Sequence, residues 1–173
     1  MVKSIKKVID RTLECITGTL FLVMVTVTMW QVISRYILNS PSSVTEEFLK
    51  FALIWLSMLS AAYVVGKKKH IAFTLLSDRF KDNKKLSIDI VIQTSFLFFS
   101  GIIMLYGGAR AISITMAQLS PSLHLPMGLV YLSLPVSGAL GLFYSIQNMI
   151  ELFSEKKQVI TDNGDQFPEE RVV

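Results

Sequence analysis

Four uninterrupted apolar runs, each long enough to cross a bilayer, constrain this chain more than any other feature: Leu13 to Ile33, Phe48 to Gly66, Ile88 to Met116 and Met127 to Phe153. A hydrocarbon core about 30 Å thick takes roughly 20 apolar residues in helical form. Within it every backbone N–H and C=O must be satisfied internally, which leaves only helices or a closed barrel. Runs of this length without alternation are helical. At 51% hydrophobic and 17% charged residues, the apolar content also exceeds what a soluble core uses. The expected fold class is all-α: an integral membrane protein whose membrane domain spans residues 13–157, with helices over about 13–38, 46–66, 86–117 and 127–153. Residues 1–12 form a basic leading segment. The first apolar run is too long for a secretory signal and no A-x-A cleavage site follows it, so it is expected to remain as the first helix. The polar stretch 158–173 is expected to be a disordered tail.

Orientation follows from the basic residues, because cytoplasmic flanks retain Lys and Arg. Lys3, Lys6, Lys7 and Arg11 precede the first helix. Lys67, Lys68, Lys69, Arg79, Lys81, Lys84 and Lys85 separate the second from the third, and Lys156, Lys157 and Arg171 follow the fourth. Fourteen of the seventeen basic residues thus fall on one face, leaving Arg35, Lys50 and Arg110 for the other. Both termini are expected in the cytoplasm. A net charge of +4 arranged in this way meets anionic phospholipid headgroups rather than nucleic acid.

The elbow after the first helix reads Asn39-Ser40-Pro41-Ser42-Ser43, with Pro41 as the breaker. Ser43-x-x-Glu46 fits a capping box, and Glu46 and Glu47 suit a first helical turn, where the dipole favours negative charge. Arg35 lies on the face that should lack arginine. It either snorkels to headgroups or pairs with Glu46 or Glu47 across the elbow, and an Arg35–Glu47 ion pair would set the angle between the first two helices.

The basic stop Lys67 to His70 leads into Ile71 to Phe80, where apolar residues near helical spacing suggest a short interfacial helix over about 71–80. The third run exceeds a perpendicular crossing, so it should tilt or project, with Arg110 as an anchor near the outer interface. The second outer loop, Gln118 to Pro126, carries His124 as its only charged or titratable side chain. In the fourth helix Ser133, Ser137, Gly141 and Ser145 recur every four residues and make a small-residue face suited to close helix packing, within the chain or against another protein. Pro135 should bend that helix, and the lone Cys15 reads as a small packing residue.

Chemistry-bearing motifs are missing: no Gly-rich phosphate loop, no H-E-x-x-H, no G-x-S-x-G. The two histidines, His70 and His124, fall on opposite faces, which excludes a shared haem or metal site. No catalytic residue, metal or cofactor is therefore expected. Ionisable residues such as Asp89, Arg110 and Glu151 map near helix ends rather than mid-membrane, where transport sites put them. What remains is a scaffold or partner subunit. A self-associating small four-helix carrier or channel of the multidrug-exporter kind is the alternative, but it needs a buried Glu in the first helix, and Glu14 lies at that helix's basic end.

Arg35-Tyr36 closing the first helix, Pro41 with Glu46-Glu47 at the elbow, Trp55 in an aromatic second helix, Lys67 to His70 and the late Leu134-Pro135 occur in an order that resembles the small membrane subunit of TRAP transporters, the tripartite ATP-independent periplasmic systems for organic acids. The resemblance covers about residues 5 to 155. It implies a non-conducting subunit of the bacterial inner membrane. Its expected partners are a large sodium-coupled elevator subunit, with which it forms a heterodimer, and a periplasmic substrate-binding protein that docks transiently. The cargo would be sialic acid, a C4-dicarboxylate or another organic acid. Asn39, Ser42, Ser43, Glu46, Glu47, Ser122 and His124 would then face the binding protein. Trp55, Ser133, Ser137, Gly141 and Ser145 would serve helix packing or contact with the large subunit.

Overall fold

The computed structural model describes residues 2–67 and 82–164. Its helices are α1 (Val2–Tyr36), α2 (Ser43–Gly66), α3 (Asp82–Phe98), α4 (Gly108–Thr115), α5 (Met127–Tyr131) and α6 (Ser133–Gly164). A π-helical segment, Phe99–Gly107, joins α3 to α4 as one rod. Four stretches are long and apolar enough to cross a membrane: Ser4–Tyr36, Ser43–Gly66, Ile88–Thr115 and Met127–Leu152. The protein is thus an all-α, four-span membrane bundle. The expected interfacial helix over 71–80 lies outside the described residues.

The fourth span organises the bundle, since 39% of its apolar window is buried against none for the first span. The main core sits at the end that carries both termini, where Leu13, Leu59, Val65 and Tyr144 close on one another and Trp55, Phe96 and Leu140 pack around them. α1 packs its backbone closely against α2 alone among the described elements. Most of its apolar surface, including Phe21, Met29 and Trp30, is exposed.

The small-residue face of α6 is turned inward. Ser133, Ser137 and Ser145 are buried to within 1% of full enclosure. A Cβ placed on Gly141 would stand 2.7 Å from Ser100 Oγ, and one on Gly138 would stand 2.8 Å from Met104 Cβ. This face therefore packs against the third span. Lipid tails match apolar side chains in hydrophobicity, so only such close van der Waals fit favours one helix over lipid.

Three local features refine the sequence expectation. The third span reads as one continuous apolar run, yet over Phe99–Gly107, a stretch that holds Gly101 and Gly107, it widens into nine residues of π-helix opposite the small face. The fourth span breaks at Leu132 into α5 and α6, three residues before Pro135, which lacks the N–H that would hold the preceding turn. The buried Ser133 hydroxyl donates to Val130 O at 2.9 Å across that break. Finally, α6 continues past residue 157, into the stretch expected as a tail, and is helical through Gly164, the last described residue, with Glu155 to Gln158 good helix formers.

Candidate functional site

At the end opposite the termini, the elbow and the long loop meet through one carboxylate. Glu47 Oε2 accepts the backbone N–H of Ser122 at 2.9 Å and that of Leu123 at 2.8 Å. Two amide donors on one oxygen fix the loop's position relative to α2. The loop is closed internally as well. Met127 N–H donates to Gln118 O at 2.8 Å and Ser120 N–H to Leu125 O at 2.9 Å, while an isolated bridge pairs Leu119 with Pro126. Ser120, 1% exposed, is the buried pin of this turn, and Leu125 N–H donates to its hydroxyl at 3.3 Å. His124 has φ 51° and Asn39 φ 50°, both in the left-handed region that lets a short loop reverse.

These contacts revise two sequence readings. The N-cap of α2 is Ser42, one residue before the Ser43 of the expected capping box: its backbone is extended and its hydroxyl accepts from Thr45 N–H at 3.4 Å. Pro41 lets the helix begin one residue earlier, with Thr45 Oγ1 donating back to Ser42 O at 2.9 Å. The Arg35–Glu47 ion pair is not formed. Glu47 is turned to the loop amides, and Glu46 pairs with Lys50 at 2.9 Å along its own helix. The elbow angle is held instead by Ser34, whose buried hydroxyl donates to Ser40 O at 2.6 Å. Of the seven residues expected to face a binding protein, Asn39, Ser43, Glu46 and His124 are exposed, while Ser42, Glu47 and Ser122 are half-buried, the last two bonded to each other.

At the termini end a polar clamp ties α1, α2 and α6 together. Tyr63 donates to Glu14 Oε1, and Tyr144 donates to Asp10 Oδ1 at 2.5 Å. Lys67 Nζ lies 3.6 Å from Glu14 Oε1 and 3.8 Å from Asp10 Oδ2, and 5.1 Å from the Tyr63 ring centre. The Tyr63 oxygen beside it, then the carboxylates of Asp10 and Glu14, hold the Lys67 ammonium above the ordinary lysine value. Lys6 reaches Glu151 at 4.0 Å, and buried Asn148 donates to Val65 O at 3.1 Å. Sequence inspection treated this end as a basic flank and passed over Asp10, Tyr63, Tyr144 and Asn148. Its legible signal was the i, i+4 spacing of Asp10 with Glu14 and of Tyr144 with Asn148, each polar pair on one helical face.

Between α1 and the rest of the bundle runs a predominantly apolar groove of about 820 Å³. Leu20 and Val23 of α1, Phe51 and Trp55 of α2, and Leu129 and Leu140 of the fourth span line it. Cys15, read from the sequence as a small packing residue, also lines it and is exposed. Trp55 is half-buried, between this groove and the core.

Residues 24–155 of this four-span bundle match the family model of the DctQ component of tripartite ATP-independent periplasmic transporters. The chain belongs to this family. It is 25% identical over 150 residues to the sialic acid TRAP transporter small permease protein SiaQ of Vibrio cholerae, covering 87% of this chain and 86% of that one. A small TRAP permease protein of Haemophilus influenzae is 24% identical over 140 residues, covering 81% and 86%. The C4-dicarboxylate TRAP transporter small permease protein DctQ of Rhodobacter capsulatus is 29% identical over 103 residues, covering 59% and 45%. The chain is therefore a small TRAP permease subunit, non-catalytic and multi-pass in the bacterial inner membrane. The family displaces the multidrug-exporter alternative.

Proposed function

We propose that this subunit scaffolds the large sodium-coupled TRAP subunit and presents a docking surface to the periplasmic substrate-binding protein during uptake of an organic acid. The observation that carries the reading is the Glu47 lock, because it joins the elbow and the long loop into one rigid platform and leaves Asn39, Ser43, Glu46 and His124 exposed on it. Rigid presentation lowers the ordering cost of a transient encounter. The concentration of Lys and Arg at the opposite end supports placing both termini in the cytoplasm and the platform in the periplasm.

Contact with the large subunit falls to α1 and the groove beside it. The small face of α6 is already spent on the third span, so Ser133, Ser137, Gly141 and Ser145 serve packing within the subunit. Trp55 and the open apolar face of α1 are left to meet the large subunit or phospholipid. The cargo is a carboxylate, of the sialic acid or C4-dicarboxylate type borne in the names of the relatives.

The test is reconstitution in liposomes with the large subunit and the binding protein, with sodium-driven uptake of sialic acid and of a C4-dicarboxylate measured in parallel. Uptake should require all three components, and the small subunit should co-purify with the large one in mild detergent. Transport by this chain alone, or a monodisperse monomer that ignores the large subunit, would sink the proposal.

A further inference from the structure

Between the third and fourth spans lies a buried polar cluster that the platform does not use and that shares only Asn148 with the clamp. Gln93 on α3 is fully buried, and neither atom of its side-chain amide has a hydrogen-bond partner among the described residues. Asn148 on α6 is equally buried. Its Nδ2 is committed to Val65 O, while its Oδ1 is unpartnered, as is the Oγ of buried Ser145. Asp89 Oδ1, one turn from Gln93 toward the termini end, is likewise shielded and unpartnered, and so is Gln147 Nε2.

Helix geometry brings these groups to one level. Close approaches pair Gly108 with Pro135, Gly138 with Met104 and Gly141 with Ser100, so the two spans run antiparallel in a steady register. Continued one way along the bundle, that register sets Gln93 opposite Asn148. Asp89 and Gln93, four apart, share a face of α3, and Ser145 and Asn148, three apart, share a face of α6. Native proteins rarely leave buried amides unmet, and a cluster of them marks a place where something other than protein supplies the hydrogen bonds.

We propose that Gln93, Ser145 and Asn148 enclose a hydration site, holding on the order of one or two ordered waters where α2, α3 and α6 meet, each water making about three hydrogen bonds. Water fits because the unmet set mixes acceptors with donors. Gln93 presents both Oε1 and Nε2, and a water molecule accepts from the second while donating to the first. A bare cation would serve only the oxygens and be repelled by the amide hydrogens. Asp89 lies between the site and the termini end, where water enters and leaves.

X-ray-generated hydroxyl-radical labelling of the full chain in lipid nanodiscs, read by mass spectrometry, tests this directly. Radicals born on a bound water oxidise the aromatic ring beside it. Tyr144, one turn from Asn148 and 0% exposed, should therefore be labelled despite its burial. Gln93→Met keeps the side-chain length, removes the amide and should abolish that labelling. An unlabelled Tyr144 in the unmodified protein overturns the proposal, and so does undiminished labelling in a folded Gln93→Met variant. Thermal midpoints in sodium chloride and in choline chloride separate water from a bound cation. They should coincide, and a sodium-dependent rise that Gln93→Met removes would replace the waters with an ion.

Discussion

Removing the Glu47 carboxylate should free the long loop while leaving the helices in place. Both loop amides point at one oxygen, Ser122 N–H at 2.9 Å and Leu123 N–H at 2.8 Å. Hydrogen bonds to a charged acceptor contribute about 1.5 to 3 kcal/mol each. Half-burial of Glu47 and the sharing of one oxygen argue for the lower end, so Glu47→Ala should cost about 3 kcal/mol locally, which is on the order of a hundredfold in the opening equilibrium. Glu47→Gln keeps a carbonyl acceptor without the charge. Neutral bonds are about half as strong, so it should cost about 1.5 kcal/mol, roughly tenfold. Hydrogen exchange in nanodiscs, followed by mass spectrometry on a peptide containing Ser122 and Leu123, reads these factors directly. Their amides should exchange faster in the order wild type, Gln, Ala, while α2 and α6 keep their protection. Unchanged exchange at both amides in Glu47→Ala would refute the lock. Equal effects of Gln and Ala would refute the role given to charge.

Gly66→Ala would set a methyl 2.6 Å from two ring carbons of Tyr144, whose hydroxyl is held by Asp10. Equilibrium unfolding in mixed micelles should show a loss of about 1 to 3 kcal/mol, partly recovered by a second change, Tyr144→Leu. Gly138→Leu, forced against Met104, should cost about 3 kcal/mol in the same assay, whereas Val136→Leu on the exposed flank should stay within about 0.5 kcal/mol. Lys67 is held above its ordinary value of 10.5, so its contribution is complete below that value and is lost only as pH rises through the higher folded pKa. The destabilisation by Lys67→Met should accordingly be constant from about pH 6 to about pH 9, and a steady change across that window would refute the assignment. Glu46→Lys and His124→Glu should lower uptake driven by the binding protein while leaving co-purification with the large subunit intact, and loss of both together would count against a docking role.

Spans and class were legible because each depends on local composition, and the family because a few short motifs fall in a recognisable order. A run such as Phe48 to Gly66 must be helical in lipid whatever its neighbours, since its backbone has no other partner there. The platform was legible only in outline. The elbow and the long loop were both visible as outer segments, but the acidic pair offered itself equally to a helix cap, to Arg35 or to the loop. Which oxygen meets which amide depends on where the fourth span returns, seventy-five positions after Glu47. The hydroxyl of Ser42 rather than Ser43 caps α2 for a similar reason, because both serines fit the local pattern and only the path of the chain after Pro41 chooses between them.

The apolar runs, the basic flanks and the order of the elbow motifs determined by themselves that this is a membrane bundle of the small TRAP permease kind. The runs and flanks act through transfer of whole segments between water and lipid, an energy that depends on composition rather than on contacts, while the motif order carries the family resemblance. Tertiary structure alone decided that the serine and glycine face of α6 belongs to the third span. It also decided that Asp10 and Glu14 join tyrosines in a clamp, and that Glu47 holds a loop rather than Arg35. Such choices rest on hydrogen bonds and close packing, which are made or lost over a few tenths of an ångström, and positions at that scale exist only once the helices have met.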